Sequence, residues 1–175
     1  MRMKSMLLSL VVVLALAPLT RADDVTVTIS KVHLCCDKCV KAVNKVVAKV
    51  DGVTVIPDKT AHTIVLTAAN TDTLQKATDA LVKAGFFGES SDPNIKISSD
   101  TGTKGDKVQK LKVQGVHLCC KSCVKAVNKA LEDVPGVTGN TAAPEAESFE
   151  VTGDFKDSDV FAALQKAGLT GKVGE

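Results

Sequence analysis

The chain carries one cysteine-rich phrase twice, and this internal repeat limits its fold more than any other feature. Residues 33–45 read HLCCDKCVKAVNK and residues 117–129 read HLCCKSCVKAVNK, so the two phrases differ at only two positions. The match extends further, because LVKAGF at 81–86 resembles LQKAGL at 164–169. Two copies at so long a period predict tandem domains rather than a solenoid.

Within each copy the apolar pattern alternates between strand and helix periodicity. Residues 25–32 place apolar side chains on one face, which predicts a half-buried strand, and helical spacing follows the cysteines up to Asp51-Gly52. A hairpin is predicted at 53–57 and 62–67, then a second helix that ends at Gly85, and a short last strand at 94–98. The order strand, helix, strand, strand, helix, strand is typical of ferredoxin-like domains. The second copy follows the same order with weaker signals.

The sequence also predicts how the chain is divided. Residues 1–22 have basic residues before an apolar run and end in a small residue, Ala22, which is typical of a secretory signal peptide. The run is too short to span a bilayer as a helix. We therefore predict export to a periplasmic or extracellular space. The rest divides into a domain at 25–98, a flexible linker at 99–107 and a domain at 108–175. The predicted fold class is α+β, with two tandem ferredoxin-like βαββαβ domains after a signal peptide.

Charge and motifs exclude several classes of function. The formal net charge is +2, and loss of the predicted signal peptide removes three basic residues and no acid, leaving a chain close to neutral. A nearly neutral chain without Trp or Tyr gives little support for nucleic-acid binding. The sequence has no HExxH motif and no phosphate-binding glycine loop. We predict that the mature protein is not an enzyme, is monomeric and does not enter a membrane.

All six cysteines lie in the two repeated phrases, three in each. Cys36 and Cys39, and likewise Cys120 and Cys123, are one helical turn apart at a predicted helix N-terminus. Unpaired amide N–H groups and the helix dipole favour thiolates there. Paired thiolates bind soft cations such as Cu(I) or Zn(II).

The phrase resembles the Gly-Met-Thr-Cys-x-x-Cys loop of heavy-metal-associated (HMA) domains, which are ferredoxin-like modules of copper chaperones, copper-transporting ATPases and a mercury-scavenging protein. The resemblance covers nearly the whole chain after residue 22, twice. It implies that Cys36, Cys39, Cys120 and Cys123 are metal ligands. It also places Leu34 and Leu118 where the family has a buried methionine, and Phe86 and Leu169 in the loop near the site.

Each loop departs from the family pattern at two positions. Cys35 and Cys119 stand where the family has threonine, and His33 and His117 stand where it has glycine. The extra cysteines are either third thiolate ligands or small apolar loop residues. The histidines, which are weaker candidates, are either fourth ligands of a tetrahedral site or hydrogen-bonding residues at a strand end. His62 has no counterpart in the second copy and is predicted to be a turn residue.

The predicted function is an exported protein that binds Cu(I), Zn(II) or a toxic heavy metal, and sequesters the ion or transfers it between donor and acceptor proteins. The alternatives are thiol–disulfide redox chemistry and a structural or interaction protein whose cysteines are oxidised, since disulfides persist outside the cytosol. The lysines of the first helix, which include Lys38, are predicted to form a solvated face or a docking face for an acidic partner.

Overall fold

The computed structural model describes residues 24–174, so the predicted signal peptide lies outside the described residues. Two four-stranded antiparallel sheets and four helices make up this part of the chain. The first unit contains β1 (Val25–Ser30), α1 (Asp37–Val47), β2 (Val53–Asp58), β3 (Thr63–Ala68), α2 (Thr71–Lys83) and β4 (Glu89–Ser90). The second unit contains β5 (Lys107–Gln114), α3 (Lys121–Glu132), β6 (Val137–Asn140), β7 (Ser148–Lys156), α4 (Asp157–Lys166) and β8 (Lys172–Val173).

Both sheets have the same strand order, β2-β3-β1-β4 in the first unit and β6-β7-β5-β8 in the second. In the first sheet Val27 lies opposite Leu66 and Ile29 opposite Ile64, and all four side chains are buried. One face of β1 is therefore buried, as its period-2 pattern predicted. The α+β class is confirmed, and the strand order is consistent with ferredoxin-like folds.

The last strand of the first unit was predicted at the wrong place. Residues 94–98 form no strand; β4 is Glu89–Ser90, which pairs with the end of β1. The Gln75 side chain accepts from the Lys96 backbone N–H at 2.9 Å and donates to the Lys96 carbonyl at 2.8 Å. These bonds occupy the backbone groups that a neighbouring strand would use. Ile95 is buried, so its apolar character reflects core packing and not a strand.

The predicted linker is attached to the second unit. The backbone N–H groups of Lys104 and Gly105 each donate to a carboxylate oxygen of Asp157 at 2.9 Å, and Val173 donates to the Thr101 carbonyl at 2.8 Å. Asp157 is buried at the first position of α4. The Asp157 carboxylate therefore binds the backbone that leads into β5. The strand β5 itself starts at Lys107, which is within the predicted linker.

Replacing Asp157 by alanine is expected to destabilise the second unit by about 2 kcal/mol, because two backbone amide donors lose the buried carboxylate that accepts from them. Chemical denaturation would measure the change. Asp159→Ala is the matched control, since Asp159 lies in the same first turn of α4 but is exposed. Equal effects of the two substitutions would contradict this role for Asp157.

None of the helices within residues 24–174 is both long enough and apolar enough to cross a membrane.

Candidate metal centre

The two units meet through the glycines of the repeated Lys-Ala-Gly sequence. Gly85 ends the turn after α2 and Gly168 ends the turn after α4, both with positive φ. The Gly168 carbonyl accepts from the His33 N–H at 3.1 Å, and the Gly85 carbonyl accepts from the Thr170 N–H at 3.0 Å. The turn after α2 therefore contacts the second unit, and the turn after α4 contacts the first unit.

Neither glycine has room for a side chain. A Cβ on Gly168 would lie 2.4 Å from the Lys31 carbonyl oxygen and 2.5 Å from the His33 nitrogen. A Cβ on Gly85 would lie 2.5 Å from the Gly115 oxygen and 2.6 Å from the His117 nitrogen. Both glycines thus allow the backbones of the two cysteine loops to approach the neighbouring unit closely.

Each loop presents its cysteines in the same way. Cys36 and Cys120 are the N-caps of α1 and α3, with almost identical extended backbone angles. One turn later, Cys39 and Cys123 are fully buried on the inner face of each helix. The other cysteines, Cys35, Cys36, Cys119 and Cys120, are half-buried.

Sulfur atoms from the two loops interleave. Cys35 Sγ lies 3.4 Å from Cys120 Sγ and 3.6 Å from Cys123 Sγ. Cys119 Sγ lies 3.5 Å from Cys39 Sγ and 3.7 Å from Cys36 Sγ. These separations match those within a loop, where Cys36 and Cys39 are 3.9 Å apart. All six cysteines are free thiols, and they form one cluster rather than two.

Several groups in this cluster are suited to hold a metal ion. Three cysteine triples have all their sulfurs within 4.8 Å of one another, and two of them draw on both loops. The triples are Cys35, Cys36 and Cys120; Cys36, Cys39 and Cys119; and Cys119, Cys120 and Cys123. Thiolates at such spacing select soft ions.

The thiols differ strongly in acidity. The Cys123 thiol donates to Cys39, which lowers the pKa of Cys39 to about 2, and the same hydrogen bond raises the pKa of Cys123. Burial raises the pKa of Cys35 and of Cys119. Burial also acts to raise the pKa of Cys120, but hydrogen bonds from the Cys123 N–H and the Cys35 thiol outweigh it and lower that pKa to about 6. Part of the cluster is therefore ionised before any metal binds.

Both histidines lie beside the cluster. His33 groups with Cys35 and Cys123 as a possible ligand set, and His117 lies close enough to Cys39 to favour its thiolate. The Nε2 atoms of both rings are buried without a hydrogen-bond partner. Burial lowers the pKa of His33, which favours the neutral, ligating form of the imidazole.

The structure also places the remaining residues that the sequence analysis singled out. Phe86 and Leu169 form an antiparallel bridge between the units, and the Phe86 ring lies 4.7 Å from that of His117. Leu34 and Leu118 are buried in the core. His62 is an exposed turn residue, as predicted, and its carbonyl accepts from the Val32 N–H.

The sequence reasoning missed two features of the contact between the units. Gly85 is predicted from the sequence only as a helix stop, and Gly168 is included only in the match between 81–86 and 164–169, although the repetition of this glycine in both copies was a signal. The Lys38 ammonium binds Glu145 of the other unit at 2.8 Å, so this lysine does not belong to a purely solvated face. Nothing in the sequence indicated that pair. Since both partners are largely exposed, it contributes little stability.

No protein-family model matches the sequence, and no curated protein shows significant similarity to it. Similar solved structures include a copper binding domain from HMA7, a P-type ATPase, with a TM-score of 0.36 and 25% identity over 39% of this chain and 96% of that one. The apo HMA domain of a copper chaperone for superoxide dismutase has a TM-score of 0.35 and 29% identity, over 46% of this chain and 80% of that one.

A third structure extends over both units. The N-terminal soluble domains of Bacillus subtilis CopA have a TM-score of 0.33 and 16% identity, over 87% of this chain and 95% of that one. The solved structures similar to this chain thus include copper-binding HMA domains. Membership of the HMA family stays a prediction from the cysteine motif.

Proposed function

We propose that the protein is an exported, monomeric and non-enzymatic binder of a soft metal ion, with Cu(I) as the preferred ion, that sequesters the ion or passes it to a partner protein. The observation that carries this proposal is the convergence of six free thiols at one place between two units. The copper-binding HMA domains among the similar structures agree with it.

The exposure of the sulfurs is compatible with transfer by thiolate exchange. Half-buried sulfurs such as Cys36 and Cys120 can accept an ion from a donor, and the buried Cys39 and Cys123 can then complete its coordination. Stepwise replacement of one thiolate by another needs no free ion at any stage. The same path in reverse delivers the ion to an acceptor.

Metal content and thiol state of the protein purified anaerobically from its own compartment test the proposal. We expect reduced cysteines and bound copper. Cysteines that are already joined as disulfides, in protein that binds no added Cu(I), would contradict it. That outcome would favour a structural or thiol–disulfide role instead, since neighbouring sulfurs such as Cys35 and Cys120 lie close enough for small movements to join them.

Metal affinity is expected to fall as the pH falls. The pKa values of Cys35, Cys119 and Cys123 are raised, so these thiols hold protons near neutral pH and must release them to bind an ion. Each released proton makes the affinity about tenfold weaker per pH unit lost. Competition titrations with a Cu(I) chelator between about pH 8 and pH 5 would measure the slope. A dissociation constant that does not change with pH would contradict thiolate ligation.

A further inference from the structure

The six sulfurs can be divided into triangles that share their corners. Besides the three cysteine triples of the cluster, a further set consists of Cys35, Cys39 and Cys123, in which Cys35 Sγ lies 3.6 Å from each of the other two sulfurs. These three sulfurs form a fourth triangle. Every sulfur then belongs to two of the four triangles, and three of the triangles combine both loops.

A thiolate that belongs to two triangles is placed to bridge two ions. Sulfur has enough lone pairs for two metal bonds, and Cu(I) commonly takes three thiolates in a plane. Six bridging thiolates offer twelve bonds, which satisfy about four three-coordinate Cu(I) ions. Such a cluster has a small net negative charge, and the N-termini of α1 and α3, capped by Cys36 and Cys120, offset it.

The same geometry is less suited to zinc. Structural Zn(II) needs four ligands at the corners of a tetrahedron. Among the described residues, each group of possible ligands whose donor atoms all lie within 4.8 Å has three members. The cluster therefore offers trigonal sites, which Cu(I) accepts and Zn(II) does not prefer.

We infer that the two cysteine loops form one polynuclear Cu(I)–thiolate centre that joins the two units, in place of two independent two-thiolate sites. This inference rests on the proposed soft-metal function and specifies its stoichiometry and its ligands. Cys35 and Cys119 are then obligatory bridging ligands. The ions also become part of the contact between the units.

Anaerobic titration with Cu(I) in acetonitrile, followed by native mass spectrometry and copper X-ray absorption, tests this inference. We expect about four ions bound cooperatively per chain, each with three sulfur neighbours and with a copper–copper scattering shell. Two ions bound independently, each with two sulfur neighbours and no copper–copper shell, would overturn the shared centre but leave the proposed function intact. A failure to bind Cu(I) at all would overturn both.

Removing two thiolates from one loop also distinguishes one shared centre from two independent sites. The variant Cys35→Ala/Cys36→Ala breaks three of the four triangles, so roughly three quarters of the copper should be lost. Independent sites would instead keep the second loop loaded at the original affinity. Both substituted residues are half-buried, which favours normal folding.

The mirror variant Cys119→Ala/Cys120→Ala should give the same loss, because it also breaks three triangles. Ser122→Ala, at an exposed position in the first turn of α3, serves as the control that keeps all six thiols. Circular dichroism of each variant checks the fold. If one cysteine variant fails to fold, the mirror variant and the metal stoichiometry of the unchanged protein still decide the question.

Discussion

Replacing Gly168 by alanine is expected to separate the two cysteine loops and to abolish the shared cluster. Gly168 has φ +77°, which costs an alanine about 1–2 kcal/mol. Its new Cβ would also lie 2.4 Å from the Lys31 oxygen, well inside van der Waals contact, so one backbone must move. Because His33 and Phe87 both donate to the Gly168 carbonyl, this movement breaks two hydrogen bonds between the units.

Gly52→Ala is a closely matched control for this substitution. Gly52 has φ +76°, and no atom lies within 4 Å of the position its Cβ would take. Alanine there has the same backbone strain as at Gly168 but no clash with the other unit. The difference between the two variants therefore isolates the contact between the units from the intrinsic cost of a positive φ.

Amide hydrogen exchange and Cu(I) titration measure the effect. In Gly168→Ala the amides of His33 and Phe87 should exchange at least about thirtyfold faster, corresponding to about 2 kcal/mol of lost protection. The bound copper should fall toward the amount that separate loops hold. In Gly52→Ala both readouts should stay close to those of the unchanged protein. Equal protection and equal copper in the two variants would show that Gly168 does not hold the loops together.

The contrast between local and tertiary signals explains what the sequence could predict. The alternation at Val27 and Ile29 and the helical spacing that buries Val43 and Val47 are set by short-range geometry, so these elements were predicted correctly. Residues 94–98 have an alternating pattern as well, but the Gln75 side chain takes the backbone groups of Lys96. A contact made across the fold thus overrides a local preference.

The meeting of the two loops had no local signature. Cys35 and Cys120 are far apart in sequence, and periodicity says nothing about the distance between two domains. The one indirect clue was that Lys-Ala-Gly occurs in both copies. In the structure Gly85 and Gly168 do more than end a helix, because each allows a close approach of two backbones. The candidate ligand residues were thus identifiable from spacing, whereas their assembly into one cluster depends on the contact between the two units.

Loading with Cu(I) is expected to give the largest gain in stability of any treatment of this protein. A ligand that binds only the folded chain stabilises it by about 4 kcal/mol when its free concentration is a thousand times the dissociation constant. For a chain of this size that gain raises the unfolding temperature by about 8–16 °C. Because the ions share sulfurs from both loops, such as Cys35 and Cys123, the two units should unfold together once loaded.

Anaerobic differential scanning calorimetry of the metal-free and loaded protein would measure both effects. We expect one sharper transition at higher temperature after loading, and its reversal by a strong Cu(I) chelator. In Cys119→Ala/Cys120→Ala the gain should fall to a small fraction, because only the triangle of Cys35, Cys39 and Cys123 remains. Two separate transitions that each shift on loading would instead mean that each loop binds its own ion, since independent sites stabilise their units one at a time and cannot couple them.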